Sequence, residues 1–461
     1  MREQDRWDRT GIGGLGTFCP DKVVRGRKSL TTMGCLNHFE EVHVVLGNES
    51  CDLDSAVASV VTAFLLHQKK SELKCAVLPV LNIVRRDFRL RTEVTFFLQK
   101  TNIPFDLLIF KDEIDLEKLR KEKRLCLTLV DHNVLSADQQ CLEEAVVRVI
   151  DHHKLECRDR RMRCDMTVEM VGSCCTLVAE KMFTTCPSVI DQQIAMLLYG
   201  TILLDTVCLL KEAKRATEKD INIVIKLETK LEKVTRIEVF EALQKAKFDL
   251  SGLTFEEMLR KDLKVVEGNK FRIAIPSIPG FLEDLKAEPK LSIAMEEFIT
   301  QNNYHGLVIM TIHHNSETRK VQRQIAVYSP DPVIKEQIVN TLKGAQDPGL
   351  ELEPLHLGIS DLMSFNQRNI AASRKVVLPL VRSFIQESPV SSHSAKGSKI
   401  PTSSSYFFHS FHTNALTRVP TSFLKHNHKT KLSVSMFSRH KFIPKSNTTL
   451  TFLLKFLKIL K

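Results

Sequence analysis

The sequence predicts an α/β chain in which a doubly wound, mainly parallel sheet is followed by a second, smaller α/β domain. Three observations lead there. From Val42 onward, near-continuous apolar runs of strand length alternate with helical segments, the pattern of a parallel sheet covered on both faces. The 461 residues are 43% hydrophobic and 26% charged, with only 17 Gly and 16 Pro, which excludes collagen-like and low-complexity chains. That length gives room for two or three domains, each with its own core.

The elements follow in order. Residues 1–41 mix charges with Gly11, Gly13, Gly14 and Gly16 and show no sustained period, so they read as a flexible leader. Strand-length runs at Val42 to Gly47, Cys75 to Ile83, Leu107 to Phe110, Leu125 to Val130 and Ala145 to Ile150 are interleaved with helical stretches at Ser55 to His67 and Leu116 to Lys121. Two more helical stretches, Cys174 to Phe183 and Gln192 to Leu204, complete a first domain over 42–210. The charged stretch Lys211 to Arg236 reads as a surface helix or a connector, 211–235. A companion domain over 236–388 carries strands at Lys270 to Pro276, Gly306 to Ile312 and Gln324 to Tyr328, with helices at Ala294 to Thr300, Val333 to Leu342 and Lys375 to Gln386. The tail, 389–461, is Ser-rich and then basic, and reads as a disordered extension of the kind an alternative 3′ exon encodes. Its end, Phe452 to Lys461, alternatively forms a short cationic amphipathic helix.

Charge is placed unevenly. The formal net charge is +11, yet the tail from Ser391 holds twelve Lys and Arg and no acid, leaving 54 basic against 55 acidic residues in the body. A body so balanced lacks the electrostatic footprint of a nucleic-acid binder. All twelve cysteines lie between Cys19 and Cys208 at irregular spacings, which fits reduced, buried thiols in the cytoplasm or nucleus better than a disulfide framework. The N-terminal residues show no signal-peptide core, and no run of 18 apolar residues suggests a transmembrane segment.

Four acidic clusters carry the chemistry, each expected just past the carboxyl end of an apolar strand, where parallel sheets place their sites. They are Asp52-Leu53-Asp54 in the loop after the first strand, Asp131-His132, Asp151-His152-His153, and Asp205 after the run Tyr199 to Leu204. Taken singly, Asp54 or Asp131 reads equally as a helix cap. Together, carboxylates at the ends of buried strands strand unpaired charge unless a cation neutralises it, and carboxylates mixed with imidazoles suit Mn²⁺ or Mg²⁺. A zinc set of His152, His153, Cys157 and Cys164 lacks the usual paired spacing. In Gly172-Ser173-Cys174-Cys175-Thr176, Ser173 reads as a helix cap that also shapes the cleft.

The sequence resembles the DHH phosphoesterases, named for the triplet that stands here as Asp151-His152-His153. Within that superfamily the runs VVLGNESCDLDS, PVLNI, FKDEIDL, LTLVDHN, VGSCCTLV, GTILLD and LQKAKFDLSGLTFEEMLRKDLK resemble the animal Prune proteins, relatives of family II inorganic pyrophosphatases. The resemblance covers residues 42–387. It implies a DHH domain, a companion domain and an active site in the cleft between them. By position it implies two bound Mn²⁺ or Mg²⁺ ions held by Asp52, Asp54, Asp131, His152 and Asp205, with Asp131 bridging. It also implies phosphate contacts from His153, Lys264 and Arg323, with Lys261 and Lys320 as rivals for the last two roles; an isolated Lys or Arg is otherwise a solvated charge.

The implied activity is a divalent-metal-dependent exopolyphosphatase acting on short-chain polyphosphate, with cyclic nucleotides as a second substrate class. With one Trp and four Tyr, the chain offers no evident aromatic clamp for a base. One departure matters: Asn48 stands where the pyrophosphatases carry a metal-binding histidine, and Cys51 replaces a proline. Asn is a poorer transition-metal ligand, which favours slower hydrolysis, or a competing reading as an interaction protein in cell migration that binds partners such as nucleoside diphosphate kinase. DHH nucleases are a third reading, disfavoured by the neutral body.

Overall fold

The computed structural model describes residues 35–69, 75–156, 164–232, 234–268, 270–314, 321–359 and 361–387. The tail, most of the leader and the rival Lys320 lie outside them. Two six-stranded sheets follow one another in the chain.

The first sheet has the order β3-β2-β1-β4-β5-β6 and every pairing is parallel. Its strands are β1 (Glu41–Leu46), β2 (Cys75–Leu81), β3 (Ile109–Phe110), β4 (Leu125–Val130), β5 (Val146–Asp151) and β6 (Asp165–Val168). Successive residues of β1 point to opposite faces and all but Glu41 are buried, because helices cover both sides. On one face Val42, Val44, Leu46, Leu127 and Leu129 pack with Leu116 and Leu119 of the short helix Leu116–Lys121. On the other, Val45, Val77, Val130 and Ile150 meet α1 (Leu53–Lys69), α4 (Cys174–Thr185) and α5 (Gln192–Asp205), where α2 is Thr92–Lys100 and α3 the short helix just named. α5 is buried all round from Gln193 to Leu204, the behaviour of a helix without a polar face, and Asp205 is its last residue. Asp205, grouped by sequence with the acids past strand ends, closes the helix expected over Gln192 to Leu204.

Two further helices pack on this core. α6 (Glu218–Glu228) begins with a Thr217/Asp220 capping box and buries Ile223, Val224 and Leu227; α7 (Arg236–Phe248) buries Val239 and Leu243. The stretch expected as a connector, 211–235, therefore supplies core residues to the first domain, because α6 has an apolar stripe that its charge density masked.

The second sheet has the order β11-β12-β10-β9-β8-β7, with β8–β9 parallel and its other pairings antiparallel. Its strands are β7 (Leu263–Glu267), β8 (Arg272–Pro279), β9 (Gly306–His314), β10 (Val321–Tyr328), β11 (Leu352–Leu355) and β12 (Met363–Gln367). One face packs on α10 (Pro332–Gly344) and α11 (Arg374–Glu387), the other on α8 (Phe255–Lys261) and α9 (Leu291–Gln301). Sequence patterning missed β6, β7, β11 and β12, all short strands with several exposed or half-buried positions.

Candidate metal centre

Parallel register assembles the centre. Leu46 pairs with Leu129, and Val130 with Ile150, so Asn48, Asp131 and Asp151-His152 emerge side by side where β1, β4 and β5 end. Asp131 has φ +62°, a left-handed conformation that L-residues adopt at a cost and that Asn and Asp tolerate best. Its backbone N–H donates to Ile150 O (3.0 Å), which pins the turn. Its side chain is buried, with Oδ1 3.2 Å from His152 Nε2 and 3.8 Å from His153 Nδ1. His152 Nε2 also lies 3.6 Å from Asp54 Oδ2, while its Nδ1 is 3.0 Å from Val171 O. Orienting one ring nitrogen on a carbonyl aims the other at the carboxylates.

Asp54 does cap a helix, but not its own. Its carboxylate accepts the backbone N–H groups of Cys174 (2.6 Å) and Cys175 (2.8 Å) and the Ser173 hydroxyl (2.9 Å), at the start of α4. Ser173, expected to cap that helix, makes no side-chain cap bond and hands the role to Asp54. Asp52 accepts Ser55 N–H (3.1 Å) and so caps α1. Asp151 is fully buried and takes hydrogen bonds from Asn133 Nδ2 (2.5 Å) and His153 N–H (3.2 Å), with His153 Nδ1 at 2.8 Å. Burial alone would raise the Asp151 carboxyl, but the bonds from His153 and Asn133 outweigh it and hold the group below its ordinary value. Asp151 thus orients His153, as Val171 O orients His152.

The centre is short of positive charge. Burial, and then the Asp54 carboxylate, push Asp131 well above the usual carboxylate range. Asp205 is raised by burial and by Asp54 and Asp52, and its Oδ2 is buried without a hydrogen-bond partner. Burial opposes charge on His152, yet the hydrogen bond with Asp131 and the fields of Asp54 and Asp131 prevail and push it up to about 11. The closely packed acids are left with His152 as the cationic partner of Asp131, and a divalent cation fits the remaining need. Asp131, His152 and His153 offer ligand atoms within 4.8 Å of one another, a carboxylate–imidazole set without thiolate. Burial raises the nearby Cys174 and Cys175 thiols, and Cys51 reaches about 12, so they stay protonated; Cys157 of the zinc alternative lies outside the described residues.

Asn48 is turned the wrong way for a ligand. Its Nδ2 donates to Asp131 Oδ2 (2.5 Å) and Asp131 O (3.2 Å), while its Oδ1 accepts from Ser50 N–H (2.9 Å) and Ser50 hydroxyl (2.5 Å). The amide occupies one Asp131 oxygen, and its own oxygen is committed to Ser50.

Of the cations expected in the second domain, Lys264 on β7 is exposed and within electrostatic reach of Arg374 and of Glu49 in the loop before Asp52; desolvation and Arg374 lower it. The rival Lys261 donates to Leu90 O (2.8 Å) and Thr92 Oγ1 (2.6 Å), so its ammonium joins the two domains. Arg323 is not brought beside Lys264. It lies three strands away on β10, 8% exposed, with Nε donating to Ile370 O (2.8 Å). Arg374, absent from the sequence-based site, lies next to Lys264: Asp262 Oδ1 (2.6 Å) and O (2.5 Å) hold its guanidinium at the N-terminus of α11. Its only sequence signal is that it opens a helix, where basic residues are unfavourable.

Asp220 was also missed. Fully buried in the first turn of α6, it accepts Gly172 N–H (2.9 Å), Thr176 hydroxyl (2.6 Å), and Thr217 N–H and hydroxyl (both 2.7 Å). It therefore fastens the Val171–Cys175 segment, whose carbonyl orients His152 and whose N–H groups hold Asp54. A Cβ on Gly172 would lie 2.4 Å from Thr206 Cγ2 and 2.8 Å from Arg215 O, so only glycine fits this junction.

Comparison with known proteins defines the class. A family model described as "DHH family, N-terminal domain" matches residues 43–202, and one described as "DHHA2 domain" matches 241–384. The chain is 43% identical over 353 residues to "Exopolyphosphatase PRUNE1" of Bos taurus, covering 76% of this chain and 77% of that protein. It is 42% identical over 353 residues to the Homo sapiens protein of the same name, at the same coverage. A "Probable manganese-dependent inorganic pyrophosphatase" of Lactococcus lactis is 29% identical over 204 residues, 41% of this chain and 61% of that one. The chain belongs to the DHH family of phosphohydrolases, in its Prune branch.

Proposed function

We propose that this phosphohydrolase removes terminal phosphate from short inorganic polyphosphates in a divalent-metal-dependent reaction. The observation that carries the reading is the buried Asp131, crowded by Asp54 and His152 beside a partnerless Asp205 oxygen, a charge deficit that divalent cations would fill. Asp52, Asp54, Asp131, His152 and Asp205 would hold two Mn²⁺ or Mg²⁺ ions. Divalent ions held by these residues would supply the Lewis acidity that activates water toward phosphorus.

The chain's own residues do the rest. His153, with Nδ1 on Asp151, has Nε2 as the nitrogen to meet a phosphate oxygen. Lys264 and Arg374 would neutralise the transferred and leaving phosphates, the groups where charge stabilisation accelerates phosphoryl transfer. Arg323, committed to Ile370 O, would act at a distance by holding the loop that leads to Arg374. The polyphosphate chain requires cations rather than an aromatic clamp, which ranks it above cyclic nucleotides. The free thiols among the described residues suit a cytoplasmic or nuclear location.

Asn48 favours a second reading, a weakly catalytic protein that acts through partners such as nucleoside diphosphate kinase, because its amide occupies an oxygen of the Asp131 carboxylate. One experiment separates the two: phosphate release from tripolyphosphate, tetrapolyphosphate, pyrophosphate and cyclic AMP with Mg²⁺ or Mn²⁺, against Asp131→Asn. Turnover of the polyphosphates that vanishes in the variant supports the hydrolase. Equal traces from both folded proteins leave the binding reading.

A further inference from the structure

Parallel register continues the centre sideways. Leu46 pairs with Val80 and Leu81 with Phe110, so the row that holds Asp131 and Asn48 runs on through Asn82 to Lys111, across the carboxyl ends of β4, β1, β2 and β3. Hydrogen bonds tie the row together. Asn48 Nδ2 donates to Asp131, Asn82 Nδ2 donates to Gly47 O (2.9 Å), and Lys111 N–H donates to Leu81 O (3.1 Å) and Ile83 O (3.3 Å). Asn82 is itself buried and braced by Gln139, whose Nε2 donates to its Oδ1 (2.8 Å). Three strand spacings separate the ends of the row, about 14 Å at roughly 4.8 Å each.

At the far end, Lys111 is half-buried, and among the described residues its ammonium makes no ion pair or hydrogen bond. Lys264 of the second domain is likewise without an ion-pair partner among the described residues, and it is within electrostatic reach of Glu49. Both lysines act to lower Glu49, whose carboxyl is nevertheless raised by burial and by Asp138, so a cation from each domain is within electrostatic reach of this loop position. The Lys111 ammonium, without an ion pair or hydrogen bond among the described residues at the end of a row that starts on the metal centre, is arranged for an anion longer than pyrophosphate.

Resting on the phosphohydrolase reading, we infer that Lys111 forms a distal subsite for the far phosphates of a linear polyphosphate whose terminal phosphate lies at Asp131, with Lys264 serving the phosphates nearer the metal centre. Pyrophosphate does not reach Lys111 and tetrapolyphosphate does. The Glu49 carboxylate, within electrostatic reach of Lys111, opposes an anion at that end of the row.

The test is Lys111→Ala, with Lys111→Arg as the conservative rescue and Glu49→Gln as the opposite change. KM for pyrophosphate, tripolyphosphate and tetrapolyphosphate is measured with Mg²⁺, alongside titration calorimetry of tetrapolyphosphate. Lys111→Ala is expected to raise KM and Kd for tetrapolyphosphate about tenfold, the scale of one charged hydrogen bond, with pyrophosphate unchanged and Lys111→Arg near wild type. Glu49→Gln is expected to tighten tetrapolyphosphate. An equal effect at all chain lengths, or none, overturns the subsite while wild-type turnover keeps the hydrolase reading. A wild-type protein that binds tetrapolyphosphate without hydrolysing any substrate overturns the hydrolase reading, and the Kd ratio still decides the subsite. Absence of binding removes both.

Discussion

A buried aspartate at φ +62° tolerates few replacements. Asn keeps the left-handed turn and the volume of Asp131 while removing its charge, whereas Ala adds about 1–2 kcal/mol of backbone strain. Asp131→Asn is therefore expected to fold with a Tm at or above wild type, because repulsion from Asp54 is relieved, while losing phosphate release and the Mn²⁺-induced rise in Tm. Thermal denaturation with and without Mn²⁺ reads both. Asn48→His replaces an amide donor with an imidazole and frees Asp131 Oδ2, so Mn²⁺ affinity by calorimetry is expected to rise about tenfold or more. An unchanged affinity would mean that Asn48 already turns its oxygen to the ion. Both residues stood out in the sequence by type and position. Their hydrogen bonds did not, since the direction of an amide depends on neighbours eighty residues away.

Among the elements, α6 links packing to chemistry. Its buried Asp220 collects donors from Gly172, Thr176 and Thr217, and so positions the segment that orients His152 and holds Asp54. Asp220→Asn leaves one oxygen in place of two and is expected to cost about 1–3 kcal/mol in urea unfolding and to weaken Mn²⁺ binding. Asp220→Glu, which restores the charge, is expected to recover less than half of either loss, because the cavity is closed by Gly172 and Thr206. Equal Mn²⁺ affinity in Asp220→Asn and wild type would make Asp220 a purely structural residue. The long apolar strands and helices were legible because their periods are unambiguous. α6 read as a surface helix or a connector, and not as part of the core, because charge on its outer face concealed Ile223, Val224 and Leu227.

For the whole molecule, the two domains meet where the segment Arg85–Leu90 and the residues after it face α8. Arg260 pairs with Asp87, Arg89 with Glu257 (3.2 Å), Arg91 Nη1 donates to Lys261 O (3.1 Å), and Lys261 bridges Leu90 O and Thr92 Oγ1. Burial pulls Lys261 down to about 8, with Arg91 and Lys247 adding to the shift and Glu93 and Asp262 opposing it. Between that pH and the unfolded lysine value of about 10.4, the unfolded chain binds more protons than the folded one, so this group's contribution to stability rises with pH across that window. Wild type is expected to gain stability relative to Lys261→Met between pH 8 and 10 in parallel denaturant titrations, and a constant difference would place the ammonium in water. The sequence by itself determined the parallel α/β order and the acids at its carboxyl edge, because strand period and strand ends are local properties of the chain. Only the tertiary structure decided that Asp54 caps α4, that Asp220 supports the centre, and that Lys264 and Arg374 stand together while Lys261 joins the domains. Those outcomes depend on which distant donors and carbonyls meet each charge, and burial makes each such pairing too costly to leave unmade.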